Sequence, residues 1–245
     1  MKAPASEQRK LLDLQAADNR VAQLQHSLRT LPQEARLVEL QRDAAAARKE
    51  WAGVNGELED AKAEIARVEA DVQTVAARAK RDQERLQVSS SAKDIQGLEH
   101  EIASLAVRRS NLEDIQLAVM ERMEEIDERL AAIVARRDDI ATEERLLAGA
   151  RDEQKTRLTS QLTVALSERS AVAGGIQSPE LLALYERQRE RYGVGAALLT
   201  RGVSLGSNMA LTESDLATIR SSAEDEVVLD PESNCILVRT EESGL

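Results

Sequence analysis

Aromatic residues are nearly absent from this chain of 245 residues, which contains one Trp, two Tyr and no Phe. Aromatic rings supply much of the area that ordinary globular cores bury, so a conventional core of this size is excluded. The single Cys excludes an intramolecular disulfide and is typical of a reducing compartment. Ala, Leu, Glu, Arg and Gln dominate instead, which is the composition of long helices.

The chain also lacks long apolar runs and an excess of positive charge. No segment approaches the roughly 18 apolar residues that a membrane span needs. The N-terminal sequence has no apolar signal region, so we expect a cytoplasmic protein without membrane contacts. The formal net charge of −11 opposes binding to a phosphate backbone, so binding of nucleic acid would require a local basic patch.

Apolar residues recur alternately three and four positions apart between positions 37 and 86. An average spacing of 3.5 residues keeps one narrow stripe facing a partner helix, which indicates a coiled coil. Only Asp82 breaks the apolar series. This stripe, the first seam, consists of Leu37, Leu40, Ala44, Ala47, Trp51, Val54, Leu58, Ala61, Ile65, Val68, Val72, Val75, Ala79, Asp82 and Leu86.

A second seam with the same spacing begins at Ile95 and is interrupted by Arg109, Gln116 and Arg137. Between the seams, residues 87–93 contain three consecutive serines, whose hydroxyls compete for backbone groups and favour a turn. Two arms of similar length joined by a turn predict an antiparallel hairpin, which is more economical than a parallel dimer of extended helices. The second seam consists of Ile95, Leu98, Ile102, Leu105, Leu112, Val119, Met123, Ile126, Leu130, Ile133 and Ile140.

Local signals predict where the helices begin and end. The first helix should start near Ala5 or Ser6, with Ser6 as its N-cap, and Ser91 should cap the second arm. Pro32 cannot donate a backbone hydrogen bond and coincides with a slip in the apolar register, so it predicts a kink. Ser178 followed by Pro179 predicts a short connector helix.

The last 50 or so residues change character and predict a small α+β domain. Glycines and short apolar runs replace the long periodic pattern in this region. A helix is predicted at residues 212–220, with Thr212 or Ser214 as its cap. Short strands are predicted at residues 194–199, 226–229 and 236–239.

Five segments form a recognisable set: residues 89–101 (SSSAKDIQGLEHE), 112–114 (LED), 120–121 (ME), 185–191 (YERQRER) and 236–245 (ILVRTEESGL). They resemble the bacterial coiled-coil proteins that end in a four-cysteine zinc ribbon, especially the actinobacterial members. The resemblance covers essentially the whole chain, and the C-terminal segment is its most specific part. It implies a kinked antiparallel helical hairpin that carries a ribbon, zinc as the usual cofactor, and binding of protein or RNA rather than catalysis.

The chain departs from that family at the implied zinc ligands. The two C-x-x-C positions fall on Ser204 and Ser207 and on Asp230 and Ser233. Zinc is held by thiolates or imidazoles, whereas serine hydroxyls stay protonated near neutral pH and bind it poorly. Structural zinc contributes on the order of 10 kcal/mol to small ribbons, so this region must be stabilised by other means. We expect no metal site and no cofactor.

The predicted fold class is mainly α, with a small C-terminal α+β domain that resembles a degenerate zinc ribbon. The long arms supply the helical part, and the short strands supply the rest. The predicted domains are residues 1–173 for the antiparallel coiled-coil hairpin, with a kink near 32 and a turn near 87–93, residues 174–192 for a hinge and connector helix, and residues 193–245 for the degenerate ribbon.

No residue pattern predicts catalysis. Phosphate-binding, dinucleotide-binding and nucleophile-elbow motifs do not occur, and a coiled-coil arm offers no deep pocket for paired carboxylates. His100 is interpreted as a solvated arm residue and Trp51 as a seam residue that packs. Cys235 has no basic cluster nearby and is interpreted as a packing or surface thiol. We expect a protein that is not an enzyme and has no small-molecule substrate.

The connector helix contains the best candidate binding patch. Arginines near aromatic rings can hold phosphates and stack on exposed bases. The neighbouring acids Glu186 and Glu190 favour the alternative, in which the arginines form ion pairs and the tyrosines pack. The patch consists of Tyr185, Arg187, Arg189, Arg191, Tyr192 and Arg201.

A second basic cluster lies near the predicted hairpin tip. We hypothesise a non-enzymatic interaction or scaffold protein that binds protein partners through the hairpin and the ribbon-like tail. The alternatives are binding of RNA or DNA through the connector arginines and the ribbon, or a purely structural spacer. The tip cluster consists of Arg78, Lys80, Arg81, Arg85 and Lys93.

Overall fold

The computed structural model describes residues 1–245 and confirms the mainly helical architecture with a small strand-containing region at its C-terminal end. Four helices come first in the chain: α1 (Ala5–Arg29), α2 (Gln33–Val88), α3 (Ala92–Gly174) and α4 (Pro179–Tyr192). The remaining elements are β1 (Ala196–Thr200), β2 (Val203–Ser204), β3 (Met209–Ala210), α5 (Glu213–Ser221), β4 (Val228–Leu229), β5 (Ile236–Val238) and a 3₁₀ helix (Glu241–Ser243).

The chain divides into two compact units whose limits differ from the predicted ranges 1–173, 174–192 and 193–245. The hairpin unit contains residues 33–149, and the terminal unit combines residues 1–32 with residues 150–245. The difference arises because α1 packs against strands β1 and β5, which the apolar period of α1 alone does not reveal. The first helix therefore belongs to the same compact unit as the C-terminal strands.

In the hairpin unit, the seams of α2 and α3 pack against each other and form a single narrow row of apolar contacts along the two helices. Val54, Leu58 and Ala61 of α2 form one buried cluster with Val119 and Ile126 of α3. Met123, Leu130, Ile133, Ile65 and Trp51 complete this cluster, so Trp51 packs as the sequence indicated. Apolar burial contributes about 25 cal/mol per Å², so a long seam stabilises the hairpin without a thick core.

A ladder of ion pairs flanks the seam and fixes the relative direction of the two arms. Glutamates spaced seven residues apart on α2 pair with arginines spaced seven residues apart on α3, in descending order along the chain. This order is possible only for antiparallel helices. The pairs are Glu50–Arg136, Glu57–Arg129 and Glu64–Arg122.

Asp82 is a buried carboxylate in the seam near the turn, with 7% of its surface exposed. Its Oδ2 atom forms no hydrogen bond, although Arg78 Nε lies 4.0 Å from Oδ2 and Arg85 Nη1 lies 3.7 Å from Oδ1. An incompletely paired buried carboxylate costs free energy. Asp82 therefore contributes less to the stability of the seam than an apolar residue would at this position.

The helix ends follow local chemistry with one difference from prediction. Ser91 Oγ accepts a hydrogen bond from Asp94 N at 3.4 Å, as expected for the cap of α3. Ser6, however, lies within the first turn of α1, and Pro4 occupies the N-cap position. The chain leaves the helical conformation around Pro32, between Arg29 and Gln33.

The terminal unit contains a five-stranded sheet in the order β3-β2-β1-β5-β4. Strands β1 and β5 are parallel, with Ala197 opposite Leu237, and the other neighbours are antiparallel. Each predicted strand overlaps an observed one. Strands β2 and β3 were not predicted because two residues each are too short to show an alternating pattern. Thr212 caps α5, as expected, through a reciprocal capping box with Asp215.

The core of the terminal unit is shared between helices and sheet. Leu11 and Leu14 of α1, Leu181 and Tyr185 of α4 and Ile236 of β5 belong to one buried cluster. A second cluster brings together Leu199, Ile219 and Leu237. The small sheet therefore buries its apolar residues against helices that come from both ends of the sequence.

Segments at both ends of the sequence complete this unit through hydrogen bonds. Ala3 N donates to Asp225 O at 2.7 Å and Val227 N donates to Met1 O at 3.0 Å, so the N-terminal residues pair with the chain before β4. Arg239 holds the loop after α5, because its guanidinium donates to several backbone carbonyls. These acceptors are the carbonyls of Ile219, Ser222, Ala223, Glu224 and Glu226.

Candidate functional site

The connector helix α4 is fixed by capping at both of its ends. Ser178 Oγ accepts a hydrogen bond from Leu181 N at 3.4 Å, and Pro179 occupies the first turn, as predicted. Gly193 ends the helix in the left-handed region with φ of 85°, which glycine adopts without strain. Leu181 and Tyr185 are four residues apart, so they share one face, and both are fully buried.

Tyr185 is the centre of a buried hydrogen-bond network. Its hydroxyl donates to Asp18 Oδ2 at 2.7 Å and lies 3.2 Å from Gln15 Oε1, which also accepts from Gly195 N at 2.7 Å. A Cβ atom on Gly195 would collide with the Tyr185 ring. Burial, reinforced by the hydrogen bond to Asp18, raises the pKa of Tyr185. The phenol therefore stays protonated, and its hydrogen bonds are made to groups within the protein.

Two arginines and two acids extend this network across α1, α3 and α4. Arg169 Nε lies 3.1 Å from Asp18 Oδ1, and Arg169 also pairs with Glu186. Arg189 Nη2 lies 3.0 Å from Glu186 Oε2, and its Nε lies 3.5 Å from Asp18 Oδ2. Burial lowers the pKa of Arg169, but hydrogen bonds to Asp18 and Glu186 outweigh it and raise the pKa overall. The network joins three helices.

The structure divides the predicted connector patch. Tyr185 and Arg189 point into the protein and follow the alternative interpretation of ion pairing and packing. Arg187, Arg191 and Tyr192 are exposed, and the Arg191 guanidinium carbon lies 5.3 Å from the centre of the Tyr192 ring. Arg187 and Arg191 are four residues apart and share a helix face. The patch is therefore smaller than predicted.

Arg201 lies apart from the connector, in the turn between β1 and β2. It adopts a φ of 50°, and Gly202 beside it has a φ of 76°. Its backbone N–H donates to Glu242 O at 2.9 Å, while its side chain is exposed. This position in the turn explains why nearness in sequence overstated its association with the connector arginines.

The four implied zinc-ligand positions come together in the structure. Ser204 Oγ donates to Asp230 Oδ2 at 2.5 Å, and Ser233 Oγ donates to the same oxygen at 2.7 Å. Glu232 N donates to Asp230 Oδ1 at 3.0 Å. Ser204, Asp230 and Ser233 form what we call the serine–aspartate cluster. Ser207 Oγ is buried beside it without a hydrogen bond of normal geometry, yet it lies close enough to Asp230 to help lower the pKa of that carboxyl.

Backbone groups and Cys235 enclose the serine–aspartate cluster. Asp230 N donates to Cys235 O at 2.8 Å, and Gly206 N donates to Ser204 Oγ at 3.1 Å. Cys235 is fully buried, and its Sγ lies 3.2 Å from Ser233 Oγ. A Cβ atom on Gly206 would collide with that sulfur, so the backbone at Gly206 packs directly against Cys235.

The environment shifts the pKa values of both titratable groups in this region. Burial tends to raise the pKa of Asp230, but hydrogen bonds from Ser204, Ser233 and the Glu232 backbone outweigh it and lower the pKa below its usual range. Burial raises the pKa of the Cys235 thiol, and the Asp230 charge adds to this effect. The carboxylate therefore stays ionised and the thiol stays protonated near neutral pH.

The residues at the implied ligand positions do not suit zinc. Tetrahedral oxygen ligands at about 2.0 Å from zinc lie roughly 3.3 Å apart, whereas Asp230 Oδ2 lies 2.5 Å from Ser204 Oγ and 2.7 Å from Ser233 Oγ. Both hydroxyl protons point at the carboxylate, and only one of the four side chains is anionic. The expectation that the chain uses no zinc stays a prediction that requires elemental analysis.

The tip cluster is partly neutralised by acidic neighbours. Arg78 pairs with Glu101, and both Arg78 and Arg85 lie near Asp82. Lys80 and Lys93 are exposed on opposite sides of the turn. The tip therefore presents fewer unpaired cations than the sequence suggests. His100 is exposed on α3, in agreement with its interpretation as a solvated residue.

One apolar surface was missed in the sequence. Large apolar side chains outside the seam are exposed on α3 between positions 107 and 120. Val107 and Leu117 each lie two positions from a seam residue, which places them about 200° around the helix from the seam. Apolar residues at this offset could therefore have been recognised from the sequence as an exposed apolar surface. This outer patch consists of Val107, Leu117 and Met120, with exposed fractions of 63%, 58% and 44%. Ile115, which is 46% exposed, lies two positions from Leu117 and therefore on the side of the helix nearer the seam.

Two general features complete the description of possible sites. None of the helices combines the length and apolarity needed to cross a membrane. No group of three or more His, Cys, Asp or Glu side chains is arranged to hold a metal ion. Candidate binding surfaces include the outer patch, the exposed side of α4 and the hairpin tip.

The fold defines an antiparallel coiled-coil hairpin protein. Residues 14–193 match the CT398-like coiled coil hairpin domain, and the chain belongs to this family. A protein of Mycobacterium tuberculosis is 33% identical over 246 residues, with 98% of each chain covered. These findings confirm the hairpin part of the resemblance seen in the sequence.

Solved structures agree with this assignment. A protein of Mycobacterium smegmatis superposes with a TM-score of 0.84 at 32% identity, covering 98% of this chain and 100% of the other. CT398 of Chlamydia trachomatis superposes with a TM-score of 0.66 at 17% identity, covering 95% and 97%, and shows the shared fold alone. The match to the Mycobacterium smegmatis protein includes the terminal unit as well as the hairpin.

Replacing Tyr185 with Phe tests the buried network. Tyr185→Phe removes one donor from the buried Asp18 carboxylate, which should destabilise the terminal unit by about 1–3 kcal/mol. We expect the melting temperature in scanning calorimetry to fall by roughly 2–10 °C. Tyr192→Phe, at an exposed position on the same helix, is the matched control and should leave it unchanged. Equal melting temperatures for both variants would contradict a structural role of the phenol.

The lowered pKa of Asp230 predicts a specific dependence of stability on pH. An unfolded Asp has a pKa of about 3.9, and the folded pKa lies lower, so the carboxylate stabilises the fold above that pH. This stabilisation is lost as the pH falls through the folded pKa. The melting temperature of the wild type should therefore exceed that of Asp230→Asn near neutral pH, and the difference should shrink below about pH 4. Glu232→Gln is the control, and a difference independent of pH would contradict the prediction.

Proposed function

We propose that this protein is a non-enzymatic adaptor that binds a protein partner through the outer patch of α3, with the ribbon-like terminal unit as a second contact surface. The proposal rests on the outer patch, because its apolar side chains are exposed on α3 and take no part in the packing between α2 and α3. Singly exposed apolar residues are ordinary on protein surfaces. Groups of them are typical of interaction sites.

The position of the outer patch supports a protein partner. Leu117 and Met120 are three residues apart and are neighbours on the helix surface. Val107 lies about 15 Å further along the helix axis, so the patch matches the length of a short amphipathic segment. Such a segment would lay its apolar face along the patch, as in other helix-mediated recognition. The low density of arginine on this face does not favour a phosphate backbone.

A crosslinking experiment tests this proposal. A photoreactive residue is placed at Leu117 in the full chain, and the protein is irradiated in a lysate of its source cells. We expect a crosslinked product that is sensitive to protease and resistant to nuclease. Adding unlabelled wild-type protein should suppress it, whereas an unlabelled Val107→Glu and Leu117→Glu double variant should not.

The chain offers a matched control at Val134, which is 43% exposed on the same helix outside the outer patch. A photoreactive residue there should give little product, and unlabelled Val134→Glu should compete like the wild type. Equal products at both positions, or a product with the mass of two copies of this chain, would contradict the adaptor proposal. Circular dichroism verifies that the variants keep their helical content.

The alternative of nucleic-acid binding has a narrower basis. Arg187, Arg191 and Tyr192 remain exposed on α4, and Arg191 stacks near the Tyr192 ring. Binding through these residues should give a salt-dependent gel shift with RNA or single-stranded DNA that Arg187→Ala and Arg191→Ala remove together. A nuclease-sensitive product in the crosslinking experiment would favour this alternative over the adaptor.

A further inference from the structure

The two segments at the C-x-x-C positions, residues 204–207 (the first knuckle) and residues 230–233 (the second knuckle), are joined by side chains. Ser204 belongs to the first knuckle, and Asp230 and Ser233 belong to the second, 26 residues later in the chain. The 2.5 Å hydrogen bond from Ser204 Oγ to Asp230 Oδ2 links them directly, and Ser233 Oγ donates to the same oxygen. We propose that the serine–aspartate cluster performs the cross-linking task of a structural metal, with Asp230 at its centre.

The charge of the cluster is compatible with this role. A tetrahedral thiolate site places a cation among several anions, whereas here a single anion is surrounded by donors. Asp230 accepts from Ser204, from Ser233 and from the backbone N–H of Glu232, and it is fully buried. Hydrogen bonds to an ionised carboxylate are roughly twice as strong as neutral ones. They offset the desolvation of the carboxylate without a counter-ion.

The oxygen atoms of the cluster lie in direct hydrogen-bond contact, with Asp230 Oδ2 at 2.5 Å from Ser204 Oγ and 2.7 Å from Ser233 Oγ, which is closer than the ligands of a central ion would lie. Cys235 Sγ lies beside Ser233 Oγ, and Gly206 approaches this sulfur so closely that any larger residue would collide with it. Backbone hydrogen bonds from Asp230 N to Cys235 O and from Asn234 N to Asp230 O hold the second knuckle in its turn. Side chains and backbone therefore pack closely around the cluster.

The core of the terminal unit supplies the remaining stability. Leu199 and Leu237 lie on the strands next to the knuckles and are fully buried. Leu11 and Leu14 of α1 cover another part of the same sheet. Burial of these leucines stabilises the fold, so the cluster needs to fix only the geometry of the two knuckles. This inference does not depend on the identity of a partner.

The buried Cys235 provides a probe for the cluster, because it is the single cysteine of the chain. Its reaction with a thiol reagent requires the knuckles to open, so the labelling rate of the native full-length protein measures that opening. We expect substoichiometric zinc in purified protein, and a labelling rate that neither EDTA nor added zinc changes. Stoichiometric zinc, or faster labelling in EDTA, would overturn the proposal.

Variants test the role of Asp230 in coupling the knuckles. Asp230→Asn and Ser204→Ala should each raise the labelling rate roughly tenfold. The double variant should label little faster than Asp230→Asn alone, because both changes break the same interaction. Ser204 is joined to Asp230 and not to Cys235 by a hydrogen bond, so Ser204→Ala leaves the hydrogen-bond partner of the thiol, Ser233, in place. Rates measured in urea for each variant normalise the intrinsic reactivity.

The control variant is Glu232→Gln, which removes a neighbouring exposed carboxylate but keeps the backbone donor to Asp230. Its labelling rate should equal that of the wild type. Where Asp230→Asn prevents folding, Ser204→Ala and Ser233→Ala remain informative through their melting temperatures, which should fall by roughly 3–10 °C. Labelling rates that rise independently for Ser204→Ala and Asp230→Asn would overturn the proposal.

Discussion

The narrow apolar seam between α2 and α3 is the constraint on which the hairpin unit depends. A chain with one Trp and no Phe cannot fill a thick core, so its stability comes from many small contributions such as those of Val54, Ala61 and Ile126. Such a seam tolerates a polar member only at a cost in stability, and Asp82 shows this near the turn. Most of each helix surface stays exposed, which leaves it available for contacts with other molecules.

The terminal unit solves the opposite problem, because it is small and its elements come from distant parts of the chain. Two buried carboxylates, Asp18 and Asp230, organise it, and each accepts hydrogen bonds from several segments. Buried charge stabilises a fold only when its partners are complete. Completeness here requires that α1, α3, α4 and both knuckles are in place together. The two carboxylates therefore favour one arrangement of these segments over others, in addition to stabilising the unit.

Periodic features were predictable from the sequence, and long-range pairings were not. The seams, the turn at the three serines and the capping of α4 by Ser178 all depend on residues close in sequence. The inward direction of Tyr185 depends on Asp18, 167 residues away, which local patterns do not encode. The pairing of the N-terminal residues with the chain before β4 has the same cause. Sequence comparison located the knuckles, but hydrogen-bond geometry was needed to show how Ser204 and Asp230 interact.

The ion pairs that join Glu50, Glu57 and Glu64 to arginines of α3 repeat once per heptad, so they mark the register of one arm against the other. Sliding one arm by one to six residues along the other would separate each of these acids from its base. A slide by a full heptad would restore most pairings. Matched insertions of one heptad in both arms, each adding about 10 Å, would therefore lengthen such a hairpin while keeping both the seam and the ion pairs in register.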